Sequence, residues 1–346
     1  VGMNKLDNKM GSKNTNVMSR RRAITIMGAA AGLPLAGIVT QSGAAAANLY
    51  TWEGSALGAQ ASMTLAHPSR EGAERIIDLA VAEVRRLESI FSLHQEDSEL
   101  AALNRDGRLS RPSMDMLTLM TEAVRFGGIS DGAFDVSVQP LWKLYSAHFR
   151  GNKGDAKGPA QGKIDDVLKL VDYRRIDVNP LFINLDKKGM EVTLNGIAQG
   201  YITDKVSELL RANGVSNVLV SLGETRALDS HPNGRPWLVA LKDPSNPNRT
   251  DRTIDLTDMS VATSGGYGTE FDTAGRFHHL FNPRMGTSAL QHLGVSVITP
   301  RATVADALST AIYVSPTDRA DAIARKAGNV TALLTLTDGR ERVIRA

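Results

Sequence analysis

The sequence predicts an α+β fold in one mixed domain, and three observations point there. From "NVLVSLG" through "PWLVALKDP" to "HLGVSVITP", apolar and polar residues alternate over short stretches, the period of half-buried strands. These strands come in runs mixed with helix pairs rather than in a strict strand–helix alternation, which argues against a doubly wound sheet. The chain closes on "VTALLTLTDGRERVI", two alternating runs about Asp338-Gly339, a dipeptide suited to a two-residue hairpin turn. No internal repeat or composition break divides residues 48–346, so they are expected to form a single domain.

Taken in order, the first segment is unlike the rest. From Met18 the chain reads "MSRRRAITIMGAAAGLPLAGIVTQSGAAAANLY", with Arg20, Arg21 and Arg22 before an apolar stretch of small residues and "SGAAAAN" suited to a signal peptidase. Adjacent arginines before Ile24 and Ile26 point to twin-arginine export, and Gly, Pro and Thr interrupt the run too often for a membrane anchor. Residues 1–47 are therefore expected to be a tail and export signal, and the mature chain to be periplasmic without a transmembrane span. "ASMTLAH" then reads as a strand. "REGAERIIDLAVAEVRRLESIF" places Ile77, Val81, Val84 and Leu87 on one helical face. A second helix is expected in "MDMLTLMTEAVRF", and Arg150 to Lys163, rich in Gly and Lys, reads as a loop. "MEVTLNG" reads as a strand running into the helix "AQGYITDKVSELLRANG", with Gly214 as its C-terminal cap. The helices "TVADALSTAIYV" and "TDRADAIARKAG" precede the final hairpin.

Composition excludes several functions. With no cysteine among 346 residues there can be no disulfide, thiolate metal site or cysteine nucleophile. The formal charge of +3 includes the basic leader, and no basic stripe suggests nucleic acid.

Four stretches can carry chemistry. In "ADALSTA", Asp306 and Thr310 lie four apart on one helical face, hard oxygen donors suited to Mg²⁺. The same spacing also suits a capping box with Thr303 as N-cap. In "TLNGIAQGY" a turn at Asn195-Gly196 leads into a helix N-terminus, a favourable place for phosphate or simply a tight connection. "GAFDVSVQPLWKLY" offers Asp135 and Ser137 beside Phe134 and Trp142, to a ligand or to a loop and core. "ATSGGY", with Ser264 and Gly265, can wrap a ligand or merely turn.

In order, "FSLHQEDSELAALN", "GAFDVSVQPL", "LNGIAQGY", "VSLGE", "VATSGGY", "HHLFNPRMG" and "GVSVITPRATVADALSTAIYV" resemble the bacterial FAD:protein FMN transferase (ApbE) family across nearly the whole of residues 48–346. The resemblance implies an ApbE-like, T-fold-related domain with two lobes enclosing a flavin. It implies Mg²⁺-dependent transfer of FMN from FAD to a threonine or serine hydroxyl of a partner flavoprotein, with release of AMP. It assigns Asp306, Thr310 and the Ala198 carbonyl to the metal. Leu57, Asp135, Ser137, Asn195, Gly196, Ile197, Gly200, Ser264, Gly265 and His279 are assigned to FAD. His279 and Asp306 fall at the reaction centre, while His278 is expected to pack locally and Pro283 and Gly286 to fix the turn that aims His279.

Three departures stand out. Asn282 replaces an aspartate usual in the family, Gln199 stands where Lys or Glu is common, and Glu224 follows Gly223 where a second glycine is common. With the twin-arginine leader, this pattern is similar to the branch (NosX-like) that flavinylates a membrane-bound protein of nitrous oxide respiration. The competing expectations are a flavin-binding accessory protein without catalysis and a hydrolase that splits FAD.

Overall fold

The computed structural model describes residues 24–26, 48–56, 58–151 and 155–346. Of the expected export signal only Ile24–Ile26 are among them, their backbone forming strand β1; Leu57 lies outside the described residues. Strands β2 (Asn48–Ala56) and β3 (Ala59–His67) make a hairpin that leads into α1 (Arg70–Phe91). Next come α2 (Glu99–Asp106), β4 (Arg108–Ser110), α3 (Met114–Ile129), α4 (Gln139–Phe149), α5 (Gln161–Leu168), β5 (Ile176–Asn179) and β6 (Phe182–Leu185), with β4, β6 and β5 forming a small sheet of their own. The second half runs α6 (Ala198–Ala212), β7 (Val218–Ser221), β8 (Thr225–Leu228), β9 (Trp237–Asp243), β10 (Asn246–Leu256) and β11 (Ser260–Gly265). It ends with β12 (His292–Thr299), α7 (Ala302–Val314), α8 (Ala320–Ala327), β13 (Thr331–Leu336) and β14 (Glu341–Arg345).

The α+β expectation holds. A nine-stranded sheet has the order β1-β2-β3-β7-β8-β11-β12-β13-β14, with each neighbouring pair antiparallel. Helices α1, α6 and α7 contribute Ile77, Val81, Ile202, Val206, Leu308 and Ile312 to the main core with Met63, Leu65, Val220 and Val297 of the sheet. Each such side chain, fully buried, contributes about 1.5–3 kcal/mol. The β9–β10 hairpin lays Trp237, Leu241 and Leu256 on Ala227 and Val261 in a separate cluster. A third cluster joins Leu141, Tyr145 and Phe149 of α4 and Ile164 of α5 to Phe271 and Phe281 of the segment before β12. Among the described residues no helix is long and apolar enough to cross a membrane.

One expected strand is absent. "MEVTLNG" keeps its alternation, with Met190, Val192 and Leu194 buried, but forms no ladder. The Asn104 side chain takes its place: its Oδ1 accepts the Val192 N–H at 2.7 Å and its Nδ2 donates to the Val192 carbonyl at 2.8 Å. Alternation reported burial correctly, while a side-chain amide satisfied the backbone instead of a partner strand. The C-terminus of α6 forms as expected, with Gly214 left-handed at φ +78° and the Val215 N–H bonded to the Leu210 carbonyl at 3.1 Å.

The pair α6 and α7 fixes the geometry that matters. A Cβ on Gly200 would lie 2.3 Å from the Ala302 carbonyl oxygen, so glycine allows the two helices to touch backbone to backbone. Each helix then caps the other. Asp204 of α6 accepts the Ala302 and Thr303 N–H groups, both at 2.9 Å, and the Thr303 hydroxyl at 2.6 Å. Asp306 of α7 accepts the Gly200 N–H, in the first turn of α6, at 2.9 Å. The Thr303–Asp306 capping box therefore does not form, because Asp204 already serves both donors of Thr303. Asp204 also takes Arg226 Nη1 at 2.6 Å. Replacing Asp204 with alanine would leave the largely covered Arg226 guanidinium without its carboxylate and α7 uncapped, a loss of about 3 kcal/mol expected in urea denaturation.

Candidate active site

The α6–α7 crossing sets oxygen donors beside one another. Asp306 is 4% exposed; its Oδ2 holds the Gly200 N–H, and its Oδ1 has no hydrogen-bond partner among the described residues. Burial, reinforced by the Asp204 charge and opposed by the Gly200 N–H, pushes the Asp306 carboxyl up to about 7. Thr310 follows one turn later. Its hydroxyl lies 3.2 Å from Ser264 Oγ at the end of β11, and Ser264 also meets Ser309 at 2.8 Å. Gly196, in the turn before α6, keeps this space open, since a Cβ there would stand 3.1 Å from Thr310 Oγ1. A carboxylate with a free oxygen and a threonine hydroxyl fit a hard divalent cation such as Mg²⁺. Among the described residues no three His, Asp or Glu side chains gather, so carbonyl and hydroxyl donors would complete such a site.

The other expected contacts divide. Asn195 is exposed at the turn and Ser264 opens toward Thr310, whereas Ile197 is fully buried. Gly265 has a packing reason: a Cβ there would be 2.2 Å from the Tyr267 ring. Asp135 and Ser137 are occupied with structure. Asp135 Oδ1 accepts the Ser137 N–H at 2.8 Å and its hydroxyl at 2.6 Å, and Oδ2 accepts the Tyr173 N–H at 3.0 Å. Ser137 Oγ in turn accepts the Asp172 N–H at 2.8 Å, so both side chains tie the 135–138 turn to the segment before β5. Of the two readings open for the aromatic residues, the core one holds: Phe134 is buried in the main core, and Trp142 packs against the aromatic cluster.

The histidine pair sits in a loop shaped by a buried aspartate. Asp272, 2% exposed, accepts the Arg276 and Phe277 N–H groups at 2.9 and 3.1 Å. His278 is 2% exposed; its Nε2–H donates to the Ala289 carbonyl at 2.9 Å and its Nδ1 accepts the Leu280 N–H at 3.3 Å. It is a satisfied neutral imidazole, as expected, and burial pushes it down to about 4. Because the unfolded chain binds the proton near the ordinary value of 6.5, acidification from 6.5 to about 4 favours unfolding. The expected loss is about 3 kcal/mol over that window, and His278→Gln should flatten this part of a pH series of urea denaturations.

His279 differs. It is half-buried, its N–H donates to the Thr269 carbonyl at 3.1 Å, and Nδ1 lies 3.2 Å from the same oxygen. A carbonyl only accepts, so the ring proton sits on Nδ1 and Nε2 keeps its lone pair. The imidazole lies against Gly268, just beyond the Ser264–Gly265 end of β11. Burial lowers its pKa. The turn behind it forms as expected, with Gly286 at φ +69° and its carbonyl accepting the Tyr145 hydroxyl at 3.0 Å. Asn282 does the work that a carboxylate would do there: Oδ1 accepts the N–H groups of Arg284 and Met285 at 2.9 and 3.2 Å. Arg284 faces Asp131, an acidic neighbour, at 2.7 Å.

Asp204 and Asp272 carried no signal recognised in the sequence. Asp204 was legible in retrospect, because Gly200, Asp204 and Ser207 make a buried small or polar stripe on α6 where another backbone must approach.

Hard oxygens beside a helix N-terminus, with a neutral imidazole on the adjoining loop, define a site equipped for phosphoryl-group chemistry. The chain belongs to the ApbE family, whose model matches residues 57–334. It is 31% identical over 260 residues to the FAD:protein FMN transferase of Haemophilus influenzae, covering 72% of this chain and 75% of that one. The FAD:protein FMN transferase of Treponema pallidum is 29% identical over 282 residues, covering 75% and 76%. The solved ApbE protein of Thermotoga maritima superposes with a TM-score of 0.72 at 27% identity, over 86% of this chain and 97% of that one. The flavin transferase ApbE of Vibrio cholerae, at 22% identity, shares the fold with a TM-score of 0.74 over 87% and 97%.

Proposed function

We propose that this protein is an FAD:protein FMN transferase that uses Mg²⁺, releases AMP and flavinylates a threonine or serine of a partner protein. The observation that carries the reading is the free Asp306 oxygen beside Thr310 and Gly196, at the α6–α7 crossing of a chain from this family. Asp306, Thr310 and the Ala198 carbonyl would hold the cation, which when bound neutralises charge on the pyrophosphate. Asn195, Gly196 and Ser264 border the place for FAD. Asp135, Ser137, Ile197, Gly200 and Gly265 serve there through backbone groups or by shaping the site.

The chemistry assigned to the side chains is a single displacement. The acceptor hydroxyl oxygen forms a bond to the flavin-side phosphorus, the bond from that phosphorus to the AMP oxygen breaks, and AMP departs. His279 Nε2 takes the hydroxyl proton, being unprotonated and unengaged near neutral pH. The Thr269 carbonyl orients the ring, and Asp272 fixes the loop that carries it.

The localisation and branch belong to the same proposal. The twin-arginine pattern before residue 48 supports a periplasmic protein with residues 48–346 as its transferase domain. The departures at 199, 224 and 282 support a membrane-bound respiratory acceptor of the nitrous oxide pathway. Mass spectrometry of a threonine-bearing acceptor domain incubated with this protein, FAD and Mg²⁺ tests the reading, with the Vibrio cholerae relative as positive control. An FMN-sized mass gain with matching AMP supports it. AMP without a mass gain would identify a hydrolase, and bound FAD with neither product a binding protein.

A further inference from the structure

The aromatic cluster on α4 is built round a buried hydroxyl. Tyr145 is 1% exposed, and its ring centroid lies 4.9, 5.9 and 6.0 Å from those of Phe281, Phe271 and Phe277. A phenylalanine would fill the same place, and a hydroxyl in such surroundings is costly unless it is bonded. Its partner is the Gly286 carbonyl, which accepts the Tyr145 O–H at 3.0 Å. The three phenylalanines and that glycine belong to one segment, and His279 lies inside it. In a first turn the His279 N–H donates to the Thr269 carbonyl at 3.1 Å and the Phe271 N–H to the Phe277 carbonyl at 2.8 Å. In a second, the Ala289 N–H donates to the Leu280 carbonyl at 2.9 Å and the Asn282 N–H to the Thr287 carbonyl at 2.8 Å. These bonds fix the shape of each turn but not where the two stand in the molecule. The outward link from Arg284 to Asp131 is exposed on both sides, and pairs of that kind contribute little. Gly286 rests instead on α5, where a Cβ would come 2.4 Å from Ile164 Cγ2, while its carbonyl is held from α4.

Resting on the transferase reading for the role of His279, we propose that Tyr145 is the positioning residue for that base: one side chain of α4 grips both turns that flank it. Phe271 and Phe277 bring it the turn before the histidine, and Phe281 and the Gly286 carbonyl the turn after. Apolar contacts are non-directional and let the rings slide, whereas a hydrogen bond weakens steeply when bent, so the hydroxyl fixes the register that the rings leave loose. Thr269, whose carbonyl selects the His279 tautomer, stands two residues before Phe271, so a slip of the cluster reaches the imidazole directly. Burial raises the pKa of the phenol, which keeps the proton it donates. The α4–α5 pair therefore sets the aim of His279 without touching substrate.

Tyr145→Phe keeps the ring contacts and removes only the hydroxyl, which makes it the test. The kcat for FMN transfer is expected to fall about 10- to 100-fold, the scale for a catalytic group displaced by about 1 Å, with KM for FAD unchanged and the acid limb of the pH profile retained. Nuclear magnetic resonance of the ¹⁵N-histidine-labelled protein without FAD reads the imidazole itself. The His279 signal, recognised by its loss in His279→Gln, should show the Nδ1–H tautomer in the wild type and a mixture of tautomers in Tyr145→Phe. His292, bonded to the Tyr313 carbonyl and the Thr317 hydroxyl outside the segment, should keep its signal in both. A merely structural loss would unfold a fraction of the molecules and alter His292 together with His279. An unchanged His279 tautomer, an unchanged kcat, or changes at both histidines overturns the proposal. Tautomer mixing at His279 alone in a protein that transfers no FMN would sustain the brace and sink the transferase; transfer at the wild-type rate by Tyr145→Phe would do the reverse.

Discussion

Asp306→Asn is expected to yield a folded protein whose FMN transfer has fallen by at least about 10³-fold, the scale on which a catalytic cation stabilises developing phosphate charge. Asparagine keeps the shape of the side chain and an oxygen able to accept the Gly200 N–H, which the wild type bonds at 2.9 Å. The α6–α7 crossing therefore survives, and what disappears is the negative charge beside Thr310. Stability should move the other way. The folded-state carboxyl sits at about 7, above its ordinary value of 3.8, so between those values the folded protein binds more protons than the unfolded chain. Wild-type stability consequently falls as pH rises through that window, and the asparagine variant escapes the loss. At pH 8 without added metal its melting temperature should equal or exceed that of the wild type. A protein that melts lower, like the one expected from Asp204→Ala, would mark Asp306 as a structural cap first. Transfer at the wild-type rate would remove the carboxylate from catalysis altogether.

This opposition between activity and stability explains which parts of the site could be read from the chain. Spacing along one helix put Asp306 and Thr310 on a common face, and the helix forms where its pattern says. The His279 assignment came from the order of blocks, since nothing about adjacent histidines distinguishes the satisfied His278 from its neighbour. What stayed hidden was pairing across the chain. Asp204 caps a helix about a hundred residues away, and Asn104 substitutes for a strand beside Val192. Local periodicity carries no information on either, because each partner is chosen by tertiary packing. The same limit applies to α4, whose aromatic residues meet Phe271 and Phe281 in a cluster of their own. Asn282 shows the reverse case: it stood out in sequence as a departure from the usual aspartate, yet the position asks for an acceptor to two backbone N–H groups, which an amide oxygen provides. Glu224 stood out only as a residue where a second glycine is common, and only the folded chain shows its carbonyl holding the Leu222 N–H and the Thr203 hydroxyl of α6.

His279→Gln should lower FMN transfer by about 10²- to 10⁴-fold, the usual contribution of a positioned general base, while leaving FAD and Mn²⁺ binding close to wild type. The argument begins with the Thr269 carbonyl, 3.2 Å from Nδ1, which selects the tautomer with a free Nε2 lone pair. Burial then lowers the imidazole below its ordinary 6.5, so that the base form predominates at neutral pH. The sign follows: transfer in the wild type should stay level through neutrality and fall only as pH drops through the lowered value, where the imidazole gains its proton. Glutamine cannot take up a proton, so the variant's residual rate should lose that acid limb. An acid limb that persists unchanged in His279→Gln would hand the base role to a carboxylate, with Asp306 the nearest candidate by chemistry. A full rate with glutamine would show that the acceptor hydroxyl loses its proton without help from this loop. Between those results the pH profile decides more than the rate does, because misplacing the loop that Asp272 and Gly286 hold would slow transfer while leaving the limb in place.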